Sequence, residues 1–171
     1  MKTFDEVFDT FNDFSICNAV SGGVEDRYGY WHLMTWPTEV PTPFKVAHYI
    51  WSTTGFLEYE GYARFFSLAC DRNAFHIAMD LIGVKDVAQS IRNALSLVPQ
   101  DCLGNKDKLI EHFGSWDKLR VVVDSHEDLL YANSKRIEAS LADFVRSHKE
   151  AFCELEPYMR EQNDWKENDP K

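Results

Sequence analysis

The sequence predicts an all-α protein: a single compact domain of about six to eight helices, with an irregular, aromatic-rich connection near its N-terminus. Three observations carry that expectation. Apolar residues recur at i, i+3, i+4 and i+7 in one segment after another, the spacing that lines one face of a helix. The one β-flavoured run, Arg120-Val121-Val122-Val123, has no partner strand elsewhere in the sequence. The strand-then-helix alternation that builds a parallel sheet is missing.

Size is compatible with one domain. The chain has 171 residues, 44% of them apolar, with twelve Phe, seven Tyr and five Trp. A domain near this length buries roughly 70% of the surface that its unfolded chain exposes. The expected domain covers residues 1–162, and residues 163–171 read as a flexible tail. No fixed-period repeat or low-complexity block interrupts it.

The elements follow in order. Phe4, Val7, Phe8, Phe11 and Phe14 form the apolar stripe of a first helix, with Asp5, Asp9 and Asp13 on another face. In one straight helix those three carboxylates would stand ~6 Å apart along the axis. Residues 15–42 read as a loop, punctuated by Ser21-Gly22-Gly23, Gly29 and prolines 37 and 41, and crowded with Tyr28, Tyr30, Trp31 and Trp36. Thr42-Pro43 starts the next helix, since Pro fits a first helical position. Phe44 to Trp51 continue it as a buried run that Gly55 loosens. Phe75, Ala78, Met79 and Ile82 make a helix stopped by Gly83, and Val84 to Leu95 another that ends before Pro99. Lys106 to Phe113 is a short helix. Arg120 to Val123 reads as an extended link, after which Asp124 or Ser125 caps the longest helix. Ile137, Leu141, Phe144, Val145 and His148 form its stripe, and Pro157 bends or ends its extension.

Charge is the most unusual bulk property. Eighteen Lys and Arg face twenty-eight Asp and Glu, a formal net charge of −10. Residues 1–40 and 124–171 each carry a net −5, whereas the middle is nearly balanced. Such a field repels nucleic acid and anionic lipid and attracts basic partners; its plainer role is solubility. No window approaches the roughly 20 apolar residues that span a bilayer. The acidic start, Met1-Lys2-Thr3-Phe4-Asp5-Glu6, lacks an apolar signal core, so the expected location is cytoplasmic.

Chemistry-bearing patterns are sparse. Cys17, Cys70, Cys102 and Cys153 are far apart and form no CxxC pair; they read as small core residues. The glycines at 22 and 23 are followed by Val-Glu-Asp, which places negative charge where a phosphate would sit. No two of the six His are one helical turn apart. His76 and Asp80, at i and i+4, are the nearest approach to a metal pair, and a helix hydrogen bond explains them as well. Cys70 with His76 is the one pair that a turn would let meet as nucleophile and base. His126-Glu127-Asp128 reads as the acidic first turn of a helix, and Glu58 and Glu60 read as exposed acids at a helix junction. The residues call for no cofactor and no metal, and they identify no catalyst.

One stretch resembles a known family. Gly61-Tyr62-Ala63-Arg64-Phe65-Phe66, then a helix ending Ala78-Met79-Asp80-Leu81-Ile82-Gly83-Val84, looks like the bacterial DNA-mimic protein 19 family. In that family an Asn-Gly-Gly-Phe-x-x-Phe-Phe motif precedes a helix ending Leu-x-x-Ile-Gly-Ala. The family-like core is 43–152, the segment from Ser134 to Phe152 resembling the family's closing helix, and residues 1–40 have no clear counterpart. Tyr59-Glu60 stand where the family has Asn-Gly. The resemblance implies an all-helical fold, with Gly61, Tyr62, Phe65, Phe66, Ile82 and Gly83 as structural positions. For the family's namesake it also implies an acidic surface that stands in for DNA phosphates and occupies a DNA-binding protein.

The functional expectation is therefore an acidic protein-binding module, in its sharpest form a DNA mimic that occupies a basic DNA-binding protein. Its candidate contacts are Asp5, Asp9 and Asp13 in one row and Glu150, Glu154 and Glu161 in a second. Two alternatives stay open: an immunity-like or scaffold protein that binds through the aromatic loop, and a hydrolase-type site at Cys70 and His76. The expected partner is another protein, not nucleic acid or a membrane, and homodimerisation is left open.

Overall fold

The computed structural model describes residues 4–161, except for the side chains of residues 124, 125, 160 and 161. In chain order the helices are α1 Phe4–Thr10, α2 Asp13–Tyr28, α3 Tyr30–Leu33, α4 Thr42–Ser67, α5 Arg72–Leu81 and α6 Lys85–Ser96. They continue with α7 Lys106–Phe113, α8 Trp116–Ala132, α9 Ser134–Ser147, α10 Lys149–Phe152, a 3-10 turn Cys153–Leu155 and α11 Glu156–Glu161. The described residues contain no strand, so the chain is all-α, with more and shorter helices than the six to eight expected. The expected tail, 163–171, lies outside the described residues. The chain divides into two compact units. One comprises the described residues 4–51 and 138–161, and the other is Ser52–Ile137.

In the first unit the expected aromatic loop is not a loop. Residues 13–28 form α2, opened by Asn12, whose side chain accepts the Ser15 N–H at 2.8 Å, and closed by Gly29 at φ +85°. Its buried residues, Ile16, Cys17, Ala19, Val20, Ser21, Gly23 and Val24, fall on more than one face. A helix covered on several sides shows no clean 3.6-residue pattern, which is why its period is illegible. The glycine at 23 allows close packing rather than a break: a Cβ there would lie 2.8 Å from Met159 Cγ. The first apolar stripe is also divided, because α1 ends at Thr10 and α2 begins at Asp13.

Within residues 15–42, irregular backbone is limited to Gly29 and residues 34–41. Trp36 there adopts φ +54°, unusual for a bulky residue. Buried Lys45 holds the turn, donating to the Pro37 carbonyl at 2.9 Å with its ammonium 5.1 Å from the Trp36 ring centroid. The α4 backbone starts as expected near Thr42-Pro43, its first bonds accepted by the Pro41 carbonyl. The end of the chain is segmented: α10 stops at Phe152, and Pro157 sits at the second position of α11, where a missing N–H costs nothing.

In the second unit, α5 is capped by Asp71, whose carboxylate accepts from Asn73 and Ala74, and it stops before Gly83 at φ +82°. The bounds of α7 coincide with those expected, between the Asn105 cap and left-handed Gly114. Two expectations fail on α8. Arg120 to Val123 is helix, and the helix starts at Trp116, where Ser115 caps it by accepting the Lys118 N–H. Val123 and Leu119 are buried one turn apart, and that packing outweighs the β preference of three valines. His126-Glu127-Asp128 accordingly lies deep in α8 rather than at a helix start.

Candidate functional site

Four of the six acids in the predicted rows form ion pairs within the first unit. Asp5 and Asp9 of α1 flank Lys149 at 2.9 and 3.4 Å. Their hydrogen bonds, with Asp5 first, hold the Lys149 ammonium above its usual range despite some desolvation. Asp13 belongs to α2, where it takes Arg146 at 2.8 Å while the same guanidinium donates to the Phe11 carbonyl. Glu154 pairs with Arg27 at 2.9 Å. Three of these four acids thus clip α1 or α2 to the chain's C-terminal segment, and the fourth does the same through Arg27. Glu150 is exposed on α10. The side chain of Glu161 lies outside the described set.

The predicted aromatic cluster is mostly internal packing. Tyr28 lies against Phe44, Tyr30 against His48, and Trp36 edge-on to Tyr49 at 5.6 Å. Only Trp31 of the four is largely open, at 66% exposure.

The Cys70 and His76 reading gains no geometry. A small polar hollow of about 110 Å³ is lined by Cys70, Asp71, Arg72, Asn73, Leu95, Gln100 and Leu103, and His76 is not among them. His76 instead faces Arg92, whose Nη1 is 3.4 Å from Nδ1 and 2.6 Å from the Asp80 carboxylate. Burial and that guanidinium hold the His76 imidazole below its usual range. The place between His76 and Asp80 where a metal would go is held by the protein's own cation. The thiols are also less uniform than expected: Cys17 and Cys102 are buried, Cys70 is half-buried and Cys153 is exposed.

A different constellation forms where α4 breaks. Gly61 interrupts the helix at φ +73°, ψ 171°, and the next N–H, that of Tyr62, donates to Glu127 Oε1 at 2.6 Å. One turn further along α8, the Tyr131 hydroxyl donates to the Leu57 carbonyl at 2.9 Å. Two side chains of α8 therefore grip the backbone on either side of the break, as orphaned helix groups require. Downstream, Tyr62, Phe65 and Phe66 are fully buried, with ring centroids 5.6 to 6.4 Å apart. Gly61 thus breaks the helix, and the three aromatics that follow it sit in the core. Ile82 and Gly83 close α5.

Upstream of the break, Glu58, Tyr59 and Glu60 are all exposed, with Tyr59 at 91%. Three consecutive residues cover about 200° of a helix, so this last turn projects into solvent on most sides. Glu58, Glu127 and Asp128 gather around Tyr131: burial pushes its hydroxyl up, and the three carboxylate charges add to that against Arg120. Sequence reasoning placed Glu58 and Glu60 correctly as exposed acids at a junction. It missed Glu127 and Tyr131. Their i, i+4 spacing was the available signal, but nothing local says what they reach 65 and 74 residues away.

No known family model, no curated protein and no solved structure matches this chain.

Proposed function

We propose that the protein is an acidic protein-binding module for a partner with a basic surface, and that the projecting turn Glu58-Tyr59-Glu60, with Asp128 and Tyr131 beside it, is the contact. The observation that carries this reading is Tyr59, an aromatic ring left 91% exposed between two carboxylates on a chain of net charge −10. A ring flanked by acids suits a Lys or Arg, which gains both a cation–π contact and an ion pair. Four of the six carboxylates first expected to make the contact, Asp5, Asp9, Asp13 and Glu154, are ion-paired within the first unit, whereas Glu58 and Glu60 flank an exposed ring. In its finer form the module is a DNA mimic that occupies a basic DNA-binding protein, and salt-sensitive association is the common requirement.

The test is affinity capture at low and high salt with the wild type and with the double charge reversal Glu58→Lys/Glu60→Lys. A basic partner bound by the wild type, released by salt and absent from the reversal variant supports the reading. A partner that survives high salt, binds the reversal variant and is lost on Trp31→Ala replaces it with binding through the exposed Trp31. No partner under any condition removes both.

A further inference from the structure

We infer that α8 carries a self-docking face, on which the hollow beside Val121 and Val122 takes a second copy of this chain in a two-fold, antiparallel pairing. The hollow lies in the second unit, opens to solvent with a volume of about 480 Å³, and is lined by Phe113, Asp117, Lys118, Val121 and Val122. Val121 is 72% exposed and Val122 39%, although Leu119 and Val123 on the other side of the same helix are buried. Two aliphatic side chains left in water next to an aromatic ring gain by being covered, at roughly 25 cal/mol per Å² of apolar surface.

The charges at the rim select what covers it. Asp117 and Lys118 are both exposed, and neither forms an ion pair among the described residues. They carry opposite signs on adjacent positions, so a uniformly basic surface meets Lys118 as a like charge. A second copy does not. Turned about an axis passing between residues 117 and 118, an antiparallel α8 sets Asp117 of each copy against Lys118 of the other. The same rotation brings Val121, ~5 Å along the helix from that axis, to the Phe113 side of the other copy's hollow. One symmetry operation therefore matches both charges and covers both valines, the reciprocity that an isologous interface requires. Five lining residues fall well short of the roughly 20–30 per side of a stable complex, so the pairing forms only at high concentration. It uses neither Tyr59 nor its flanking acids and stands apart from the basic-partner reading.

Sedimentation velocity of the full chain, from about 10 μM to about 1 mM, reads the pairing. The wild type should shift from monomer to dimer over that range, and the dimer should persist in high salt because its centre is apolar. Val121→Glu should weaken it about tenfold or more. That side chain is exposed, so the fold should survive the change, as circular dichroism checks. Asp117→Lys and Lys118→Asp should each be monomeric alone, since like charges then face each other. Mixed in equal amounts, these two variants should associate, because every Lys then faces an Asp. A wild type that stays monomeric throughout overturns the inference. A dimer that Val121→Glu leaves unchanged puts the interface on another face and overturns it equally. A mixture that stays monomeric overturns the two-fold register, and the self-docking assignment with it.

Discussion

The Glu127 carboxylate occupies the space that a side chain at residue 61 would need: a Cβ on Gly61 would lie 2.8 Å from Oε1. Gly61→Ala therefore meets two separate penalties. The φ +73°, ψ 171° backbone belongs to a region that glycine alone populates readily, costing roughly 1–3 kcal/mol. The displaced carboxylate also leaves the Tyr62 N–H without its acceptor, a further ~1–2 kcal/mol. Urea unfolding should show Gly61→Ala destabilised by about 3 kcal/mol. In a Glu127→Ala background the same substitution should cost only the backbone part. Equal costs in both backgrounds would mean that the two residues do not share the space.

The break also explains which parts of the molecule are legible in sequence. Short helices with their own polar caps and glycine stops, such as α5 between Asp71 and Gly83 or α7 between Asn105 and Gly114, carry local signals and are readable. The α2 helix is hidden because it is covered on several sides and carries its glycine for close packing against Met159. The valines of α8 mislead because their β preference is local and the burial of Val123 is not. The acidic rows show the same limit. A carboxylate's spacing is visible in the sequence, but Lys149 lies 144 residues from Asp5, and only the fold reveals that they meet.

His48 should make the protein sensitive to mild acid. It is fully buried in the first unit, its Nδ1 3.3 Å from the Ser21 hydroxyl, and burial lowers its pKa from 6.5 to about 4. The folded state thus disfavours the proton that the unfolded state accepts. This contribution to stability is complete above pH 6.5 and is lost as pH falls from about 6.5 toward about 4. The full loss is roughly 3 kcal/mol at 1.36 kcal/mol per pKa unit. Urea titrations of the wild type at pH 7 and pH 4.5, set against His48→Gln, isolate it. The wild type should lose more stability over that interval than the variant, and parallel losses would exclude His48 as the cause.

Thiol reactivity should separate the cysteines. Burial, with the charges of Glu138 and Asp13 adding to it, pushes the Cys17 thiol up to about 12, so almost no thiolate forms at neutral pH. Cys102 is also raised, by desolvation first and Asp101 second. Cys153 is exposed on the 3-10 turn. Brief alkylation of the native protein at pH 8 should modify Cys153 well before Cys17 and Cys102, as read by peptide mass. In denaturant the preference should vanish. Early modification of Cys17 in native conditions would show that the packing of α2 opens far more readily than its burial implies.

The tight contact of Gly23 with Met159 predicts a substitution whose sign depends on its neighbour. Alanine is normally the better helix residue by about 0.8–1 kcal/mol. At Gly55 nothing lies within 4 Å of the added Cβ, so Gly55→Ala should stabilise the protein by about that amount. At Gly23 the same methyl would meet Met159 Cγ at 2.8 Å, with the Met159 backbone nitrogen at 3.6 Å and Leu155 Cβ at 3.8 Å behind it. That atom is one bond from the Met159 Cβ, so only a change of the Met159 χ1 rotamer or a shift of α11 against α2 clears it. Overpacking of this kind costs roughly 1–3 kcal/mol, more than the helix preference returns. Gly23→Ala should therefore destabilise the wild type by about 1 kcal/mol. In a Met159→Ala background, where the obstructing Cγ is gone, it should stabilise by a similar amount. Thermal or urea unfolding of the four proteins measures that reversal directly, and the same sign in both backgrounds would show that α11 does not pack on Gly23 as described.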